Sequence, residues 1–247
     1  MRELPEVLFL VRHGESAGNL ARDLAERDGQ EVIDIAERDM DVPLSELGER
    51  QAAAVGRWLG EGPPHQRPDV VVASPYVRAV RTAEIAVAAG LEGVAIHQDE
   101  RLREREFGIL DRLTRAGILS RQPEQAELRA RVGKFYHRPP SGESWCDVGL
   151  RVRSFLDSLA ADHPGRRVML VAHQVPILMT RYVLEHLGEQ EILAVEKGEP
   201  LVNCSVGLYE RHPGTDAMVR HLWNHQAPVA EAGEQVTAEP AEPVAPR

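Results

Sequence analysis

Cysteine is nearly absent: Cys146 and Cys204 are the only two in 247 residues. Two cysteines give no disulfide framework and no zinc cluster, and they suit a reduced, cytoplasmic chain. Long apolar runs are missing as well. No stretch approaches the ~18 residues that a membrane-crossing helix needs. The leading Met1-Arg2-Glu3-Leu4-Pro5-Glu6 enters an apolar run of only about five residues, too short for the core of a signal peptide. Positive charge is in deficit, with a net charge of −10. That balance argues against nucleic acid or an anionic membrane as partner. In so acidic a chain, a local cluster of arginines points to a small anion. Pairing with carboxylates accounts for most of the 29 Lys and Arg.

What is present is a hydrophobic fraction of 43%, enough for the core of one large α/β domain. Three apolar runs stand out, and each ends in polar chemistry. Val7-Leu8-Phe9-Leu10-Val11 runs into Arg12-His13-Gly14-Glu15-Ser16. Val70-Val71-Val72-Ala73 runs into Ser74-Pro75-Tyr76-Val77-Arg78. Val168-Met169-Leu170-Val171-Ala172 runs into His173-Gln174. Buried strands that end this way bring Arg12, His13, Arg78 and His173 to one edge of a sheet, where open α/β sheets bind ligands.

The pattern predicts strands at 7–11, 69–73, 94–97 and 167–172, and a hairpin of 202–210 with 217–223 turning at Pro213-Gly214. Helices are predicted from Ser16 or Asn19 to about 28, from Ser45 to Leu59, over 75–89, from an opening at Ser141-Gly142-Glu143-Ser144 to about 161, and over 175–187. Residues 100–142 read as an arginine-rich, partly helical insertion whose Arg/Glu alternation forms a solvated helix face. Strands alternating with helices imply a three-layer α/β sandwich: a mostly parallel central sheet with helices on both faces. The single domain is expected over residues 1–227. Residues 228–247, rich in Ala, Glu, Pro and Val without aromatics, are expected to be a disordered tail.

These groups suit phosphoryl transfer. A phosphomonoester is a dianion, and the planar fork of arginine donates two parallel hydrogen bonds to phosphate oxygens. Arg12 and Arg78 can supply this. A neutral imidazole attacks phosphorus when its other nitrogen is held by a carbonyl, and His13 beside Gly14 is placed for it. His173 would stabilise charge on the transferring oxygens as a protonated imidazole. Ser16 and Asn19 add donors near the start of a helix. A carboxylic acid must protonate the leaving alkoxide. Glu104, Glu106 and Asp111 all qualify, and the residues alone do not choose among them.

Six motifs now stand in order from residue 7 to about 224. They are Arg12-His13-Gly14-Glu15-Ser16 with Asn19; Pro43-Leu44-Ser45-Glu46-Leu47-Gly48 with Gln51-Ala52; Ser74-Pro75 with Arg78-Ala79 and Thr82-Ala83; Leu102-Arg103-Glu104 with Gly108; Ser141-Gly142-Glu143-Ser144; and Val171-Ala172-His173. In this order the chain resembles the histidine phosphatase superfamily, in the branch of phosphoglycerate mutase and fructose-2,6-bisphosphatase. The resemblance implies His13 as the phosphorylated nucleophile, with Arg12, Arg78 and His173 completing the phosphate pocket. It implies Glu104 as the proton donor, from its place two residues after Leu102 and four before Gly108. It implies no metal and no cofactor. Ser16, Asn19, Gly14, Ser74 and Gln174 are the accompanying substrate-binding candidates.

Two departures bear on the reaction. Gln174-Val175 follows the second histidine, where the mutases have Gly-Asn, and with Ser141-Gly142-Glu143-Ser144 this is similar to the bisphosphatase side of the family. The segment from Asn19 to Pro43 is also longer than in compact members, and it could cover the site. Both favour hydrolysis of a small phosphorylated metabolite over mutase activity. A phosphoglycerate mutase and a non-catalytic phospho-ligand-binding protein are the alternatives. A homodimer is compatible with the sequence. Bland readings stand beside these. Ser16 and Asn19 are also good helix caps, Arg81 is better suited to a salt bridge than to phosphate, and His221 with His225 lacks a third metal ligand. Lys134 and Arg138 could reach a second anionic group or be ordinary surface cations.

Overall fold

The computed structural model describes residues 4–215 and 217–238. The first apolar run forms β1 (Val7–Arg12), buried at every position. The chain then enters α1 (Ala17–Arg27), whose start is closed by a capping box. Asn19 N–H donates to Ser16 Oγ at 3.2 Å, and Ser16 N–H donates to Asn19 Oδ1 at 3.0 Å. After a 3-10 turn at Asp39–Asp41, Ser45 caps α2 (Glu46–Glu61) by accepting from Gly48 N–H at 3.0 Å. Next come β2 (Val70–Ala73), α3 (Val77–Gly90) and β3 (Ile96–Gln98). Two further 3-10 turns lead to α4 (Arg115–Arg121) and α5 (Pro123–Val132). A second capping box, Ser144 with Asp147, opens α6 (Trp145–Asp162). β4 (Arg167–Ala172), α7 (Gln174–Leu184), α8 (Glu189–Gly198), the hairpin strands β5 (Val206–Arg211) and β6 (Met218–His225), and α9 (Ala227–Glu231) complete the order.

The sheet order is β3-β2-β4-β1-β5-β6. The first four strands are mutually parallel, and β5 runs antiparallel to both of its neighbours. Side chains alternate between the faces, so each strand feeds two cores. On one face Leu8, Leu10, Val70, Val72, Val168 and Leu170 meet Val148, Val152 and Phe155 of α6 and Leu178 of α7. On the other, Val7, Phe9, Val11, Val71, Met169 and Val171 meet Ala52 and Val55 of α2 and Ala79 and Ala83 of α3. Each fully buried side chain of this size contributes roughly 1.5–3 kcal/mol, so both faces hold the helices firmly. This is the three-layer α/β sandwich with a mostly parallel sheet that the sequence predicts.

Several local expectations change. The short third strand begins at Ile96 rather than Val94. The helix expected to run to 187 ends at Leu184, and α8 follows it unforeseen. The Arg/Glu run from 101 to 106 is not a solvated helix face. It is a 3-10 turn followed by irregular chain, and Arg105 within it is buried. Its backbone is held by side chains instead: Arg151 donates to Arg101 O at 2.5 Å and to Glu104 O at 3.1 Å.

The expected disorder of residues 228–247 is corrected over 228–238. Pro228 sits in the first turn of α9, Val229 is fully buried in the second core, and Ala238 bridges to Val202. Composition misses this because the segment is anchored by one buried valine and by polar bonds to Gln51 and Asn203. Residues 239–247 lie outside the described residues.

Candidate active site

Strands β2, β4 and β1 are neighbours at the middle of the sheet and run the same way, so their carboxyl ends lie together. Ser74, His173 and His13 therefore come to one place. A cleft open to solvent lies there. Arg12, His13, Arg78 and Glu104 line it, with Ser16, Asn19 and Gln174.

His13 is 3% exposed, and its Nδ1 lies 2.7 Å from Gly14 O. A carbonyl can only accept, so Nδ1 carries the proton and Nε2 is left with the lone pair. The chain can fold back this tightly because residue 14 has no side chain. A Cβ there would come within 2.4 Å of Gly48 O. Gly14 N–H donates to Thr82 Oγ1 at 3.1 Å, and His13 O accepts from Asn203 Nδ2 at 3.1 Å. Cys204, held at φ 54°, presents its own N–H to Arg12 O at 3.1 Å. That left-handed turn is strained for a residue with a side chain, and it persists because packing and hydrogen bonds determine it.

His173 is fully buried, with its ring 5.0 Å from that of His13. Its Nε2 lies 2.8 Å from Ser74 Oγ, and its Nδ1 has no hydrogen-bond partner among the described residues. Burial, then the charges of Arg78 and Arg12, hold His13 well below the ordinary histidine pKa. Burial and the same arginines, with His13, do so for His173. Burial and the neighbouring arginines oppose the protonated form expected of His173 from sequence.

Arg12 is buried, with Nη1 donating to Leu201 O at 2.5 Å. Arg78, 5% exposed, enters from the first turn of α3. Its Nη2 lies 3.1 Å from Asp39 Oδ1, and its Nη1 also donates to Asp39 O. The segment between Asn19 and Pro43 folds against the cleft, as the sequence suggested it could, and Ile33, Ile35 and Val42 form part of its wall.

The three carboxylate candidates separate. Glu104 lines the cleft, and its Oε1 accepts from Arg105 N–H at 2.7 Å. Glu106 does not line it and accepts from Tyr76 Oη–H at 2.9 Å. Asp111 lines it from an exposed position, accepting from Arg112 N–H at 3.0 Å. The loop that carries Glu104 is clamped by Glu143, which accepts from Arg103 at 2.9 Å and from Arg151 at 2.9 and 3.0 Å. Burial works against ionisation of Glu143. The hydrogen bond and charge of Arg151, with Glu106 N–H and Arg103, prevail and hold its pKa low.

Of the expected substrate contacts, Ser16, Asn19 and Gln174 face the cleft, and the first two also form the capping box of α1. Ser74 and Gly14 do not line it: Ser74 is fully buried against His173, and Gly14 acts through its backbone. Lys134 lines the cleft and pairs with Glu196 at 2.5 Å. Arg138 does not line it and pairs with Asp147. Arg81 pairs with Glu49 at 3.0 Å, as its salt-bridge reading had it. The sequence carries no signal for Asp39 or Asn203. It placed Gln51 in a motif without a role.

Fold and site together define an α/β protein with a cleft lined by arginines and a histidine at the carboxyl ends of its central strands. The chain belongs to the histidine phosphatase superfamily (branch 1), whose family model matches residues 8–224. It is 37% identical over 170 residues to the Probable phosphoglycerate mutase GpmB of Yersinia enterocolitica, covering 67% of this chain and 68% of that protein. A mycobacterial glucosyl-3-phosphoglycerate phosphatase solved with VO3 superposes with a TM-score of 0.69 at 28% identity, covering 89% of this chain and 99% of that one. The alpha-ribazole phosphatase of Shigella flexneri shares the fold, with a TM-score of 0.72 at 17% identity over 89% of this chain and 96% of that one. Among the described residues no helix is long and apolar enough to cross a membrane.

Proposed function

We propose that this chain is a phosphatase that hydrolyses a small phosphomonoester through a phosphohistidine on His13, without a metal ion. The observation that carries this reading is the 2.7 Å approach of His13 Nδ1 to Gly14 O. It fixes the tautomer whose Nε2 can attack, and a depressed pKa keeps that nitrogen unprotonated. Arg12 and Arg78 supply the positive charge that a phosphate dianion requires.

The chemistry balances over two steps. His13 Nε2 attacks phosphorus and the ester P–O bond breaks. Glu104, protonated, gives its proton to the leaving alkoxide. As a carboxylate it then takes a proton from water, which attacks the phosphorus and breaks the P–N bond. His173 gains its role when the dianion arrives. The ligand's charge offsets that of the arginines and favours the imidazolium, whose proton stabilises the transferring oxygens. Supporting evidence comes from the glucosyl-3-phosphoglycerate phosphatase, which is similar over nearly its whole length.

A phosphoglycerate mutase is the second reading, favoured by the Yersinia relative's name. One assay separates the two. The protein is incubated with sugar phosphates, phosphoglycerates and nucleotides, with and without a bisphosphate primer. Primer-independent release of inorganic phosphate is expected, abolished in His13→Ala and unaffected by EDTA. Phosphate release that survives His13→Ala, or turnover that needs the primer and releases no phosphate, contradicts the proposal.

A further inference from the structure

The peptide plane that orients the nucleophile is itself held from behind. The Gly14 carbonyl that takes the His13 Nδ1 proton shares its peptide plane with Glu15 N–H. That N–H donates to Gln51 Oε1 at 2.9 Å. Gln51 is fully buried, and its Nε2 gives its two protons to Gln235 O at 2.9 Å and Thr237 Oγ1 at 3.0 Å. Thr237 Oγ1 in turn donates to Asn203 Oδ1 at 3.1 Å. Asn203 Nδ2 then donates to His13 O at 3.1 Å. Asn203 N–H is anchored on the same segment, at 2.8 Å from Thr237 O.

The chain of bonds therefore leaves the nucleophile's backbone through Gln51 and returns to it through Asn203. Thr237 is the common node. Donor and acceptor roles agree at every step: each amide nitrogen meets acceptors, each amide oxygen meets a donor, and one threonine hydroxyl does both. None of Gln51, Asn203 or Thr237 lines the cleft.

We propose that Gln235–Thr237 is a positioning element of the active site, and that Thr237 sets the aim and tautomer of His13 through Gln51 and Asn203. Two effects combine. A bond to Glu15 N–H polarises the peptide and makes the Gly14 carbonyl the stronger acceptor for Nδ1–H. The same bond stops that plane from turning. Gly14 resists rotation less than any other residue, so the restraint must come from outside the loop. Without it the carbonyl can leave the ring, and both tautomers become populated. This rests on the reading of His13 as nucleophile.

The test uses the full chain with Thr237→Val, Thr237→Ala and Thr237→Ser. Turnover is measured with para-nitrophenyl phosphate, the His13 tautomer by ¹⁵N imidazole resonances, and folding by the melting temperature. Thr237→Val should lower kcat about tenfold while KM stays within about twofold, because the cleft is intact and only alignment is lost. The Nδ1–H tautomer should give way to a mixture. Thr237→Ser should recover wild-type kcat and tautomer, and Thr237→Ala should match Thr237→Val. Wild-type kcat and a wild-type tautomer in Thr237→Val overturn the proposal. So does a loss that Thr237→Ser fails to recover, or one that follows the melting temperature across the three variants. If the wild-type protein forms no phosphohistidine, it is the nucleophile reading that fails. The tautomer measurement still decides what Thr237 holds.

Discussion

Asp39 pairs with the guanidinium of Arg78, and a phosphate that uses the same Nη2 must displace it. Two oxygens of its carboxylate lie 3.1 and 3.3 Å from Arg78 Nη2. The side chain of Asp39 is 43% exposed and that of Arg78 only 6%. At such spacing the gross attraction is roughly 4 kcal/mol for an effective dielectric of 20. Hydration of a half-exposed carboxylate and its rotamer entropy cancel most of this. The net value sits near the top of the range for exposed pairs, about 1 kcal/mol. Asp39→Asn should therefore tighten inorganic phosphate binding about fivefold at low ionic strength, less as salt is raised. The segment should keep its place, since Arg78 Nη1 still donates to the main-chain oxygen of residue 39. The assay is competitive inhibition by phosphate, checked by calorimetric titration. Asp41→Asn is the control, because Asp41 pairs with exposed Arg38 at 2.5 Å and should leave the inhibition constant unmoved. Unchanged or weaker phosphate binding in Asp39→Asn would show that the carboxylate does not compete for Arg78.

Other outcomes follow from the same geometry. His13 and His173 both titrate below the ordinary histidine value in the folded state. The unfolded chain therefore takes up protons first, and stability is complete above about pH 6.5 and declines as pH falls below it. Urea unfolding from pH 7 to 5 should show His13→Asn losing about 1.4 kcal/mol less per pH unit than wild type; equal slopes would mean that His13 is not held neutral. Gly14→Ala places a Cβ 2.4 Å from Gly48 O, so the loop must part from α2, and a thermal melt should fall by about 10 °C. Glu104→Gln should slow alkyl phosphates far more than aryl phosphates, whose leaving groups need no proton. Equal slowing would remove Glu104 as the acid.

Much of the site was legible because its chemistry sits at the ends of apolar runs. Val168–Ala172 could only be a buried strand, so His173 had to stand at its tip. Parallel neighbours then brought that tip beside His13. What was illegible depends on contacts across the chain. Asp39 pairs with Arg78 from a segment with no periodic pattern. Asn203 reaches the main chain of His13 across 190 positions. The Arg/Glu run at 101–106 has a helical composition, yet Arg151 and Glu143 hold its backbone irregular. Residues 228–238 have the composition of a solvated tail, and the burial of Val229 with the bonds to Gln51 and Asn203 makes them part of the fold.

The central claim is that His13 carries the phosphoryl group. Its direct measurement is the reaction of the wild-type chain with a turned-over phosphomonoester, quenched in alkali and mapped by peptide mass and ³¹P resonance. The account predicts an acid-labile, alkali-stable phosphoryl adduct on His13, absent from His13→Ala. Turnover with no adduct, or an adduct on another residue, would contradict it.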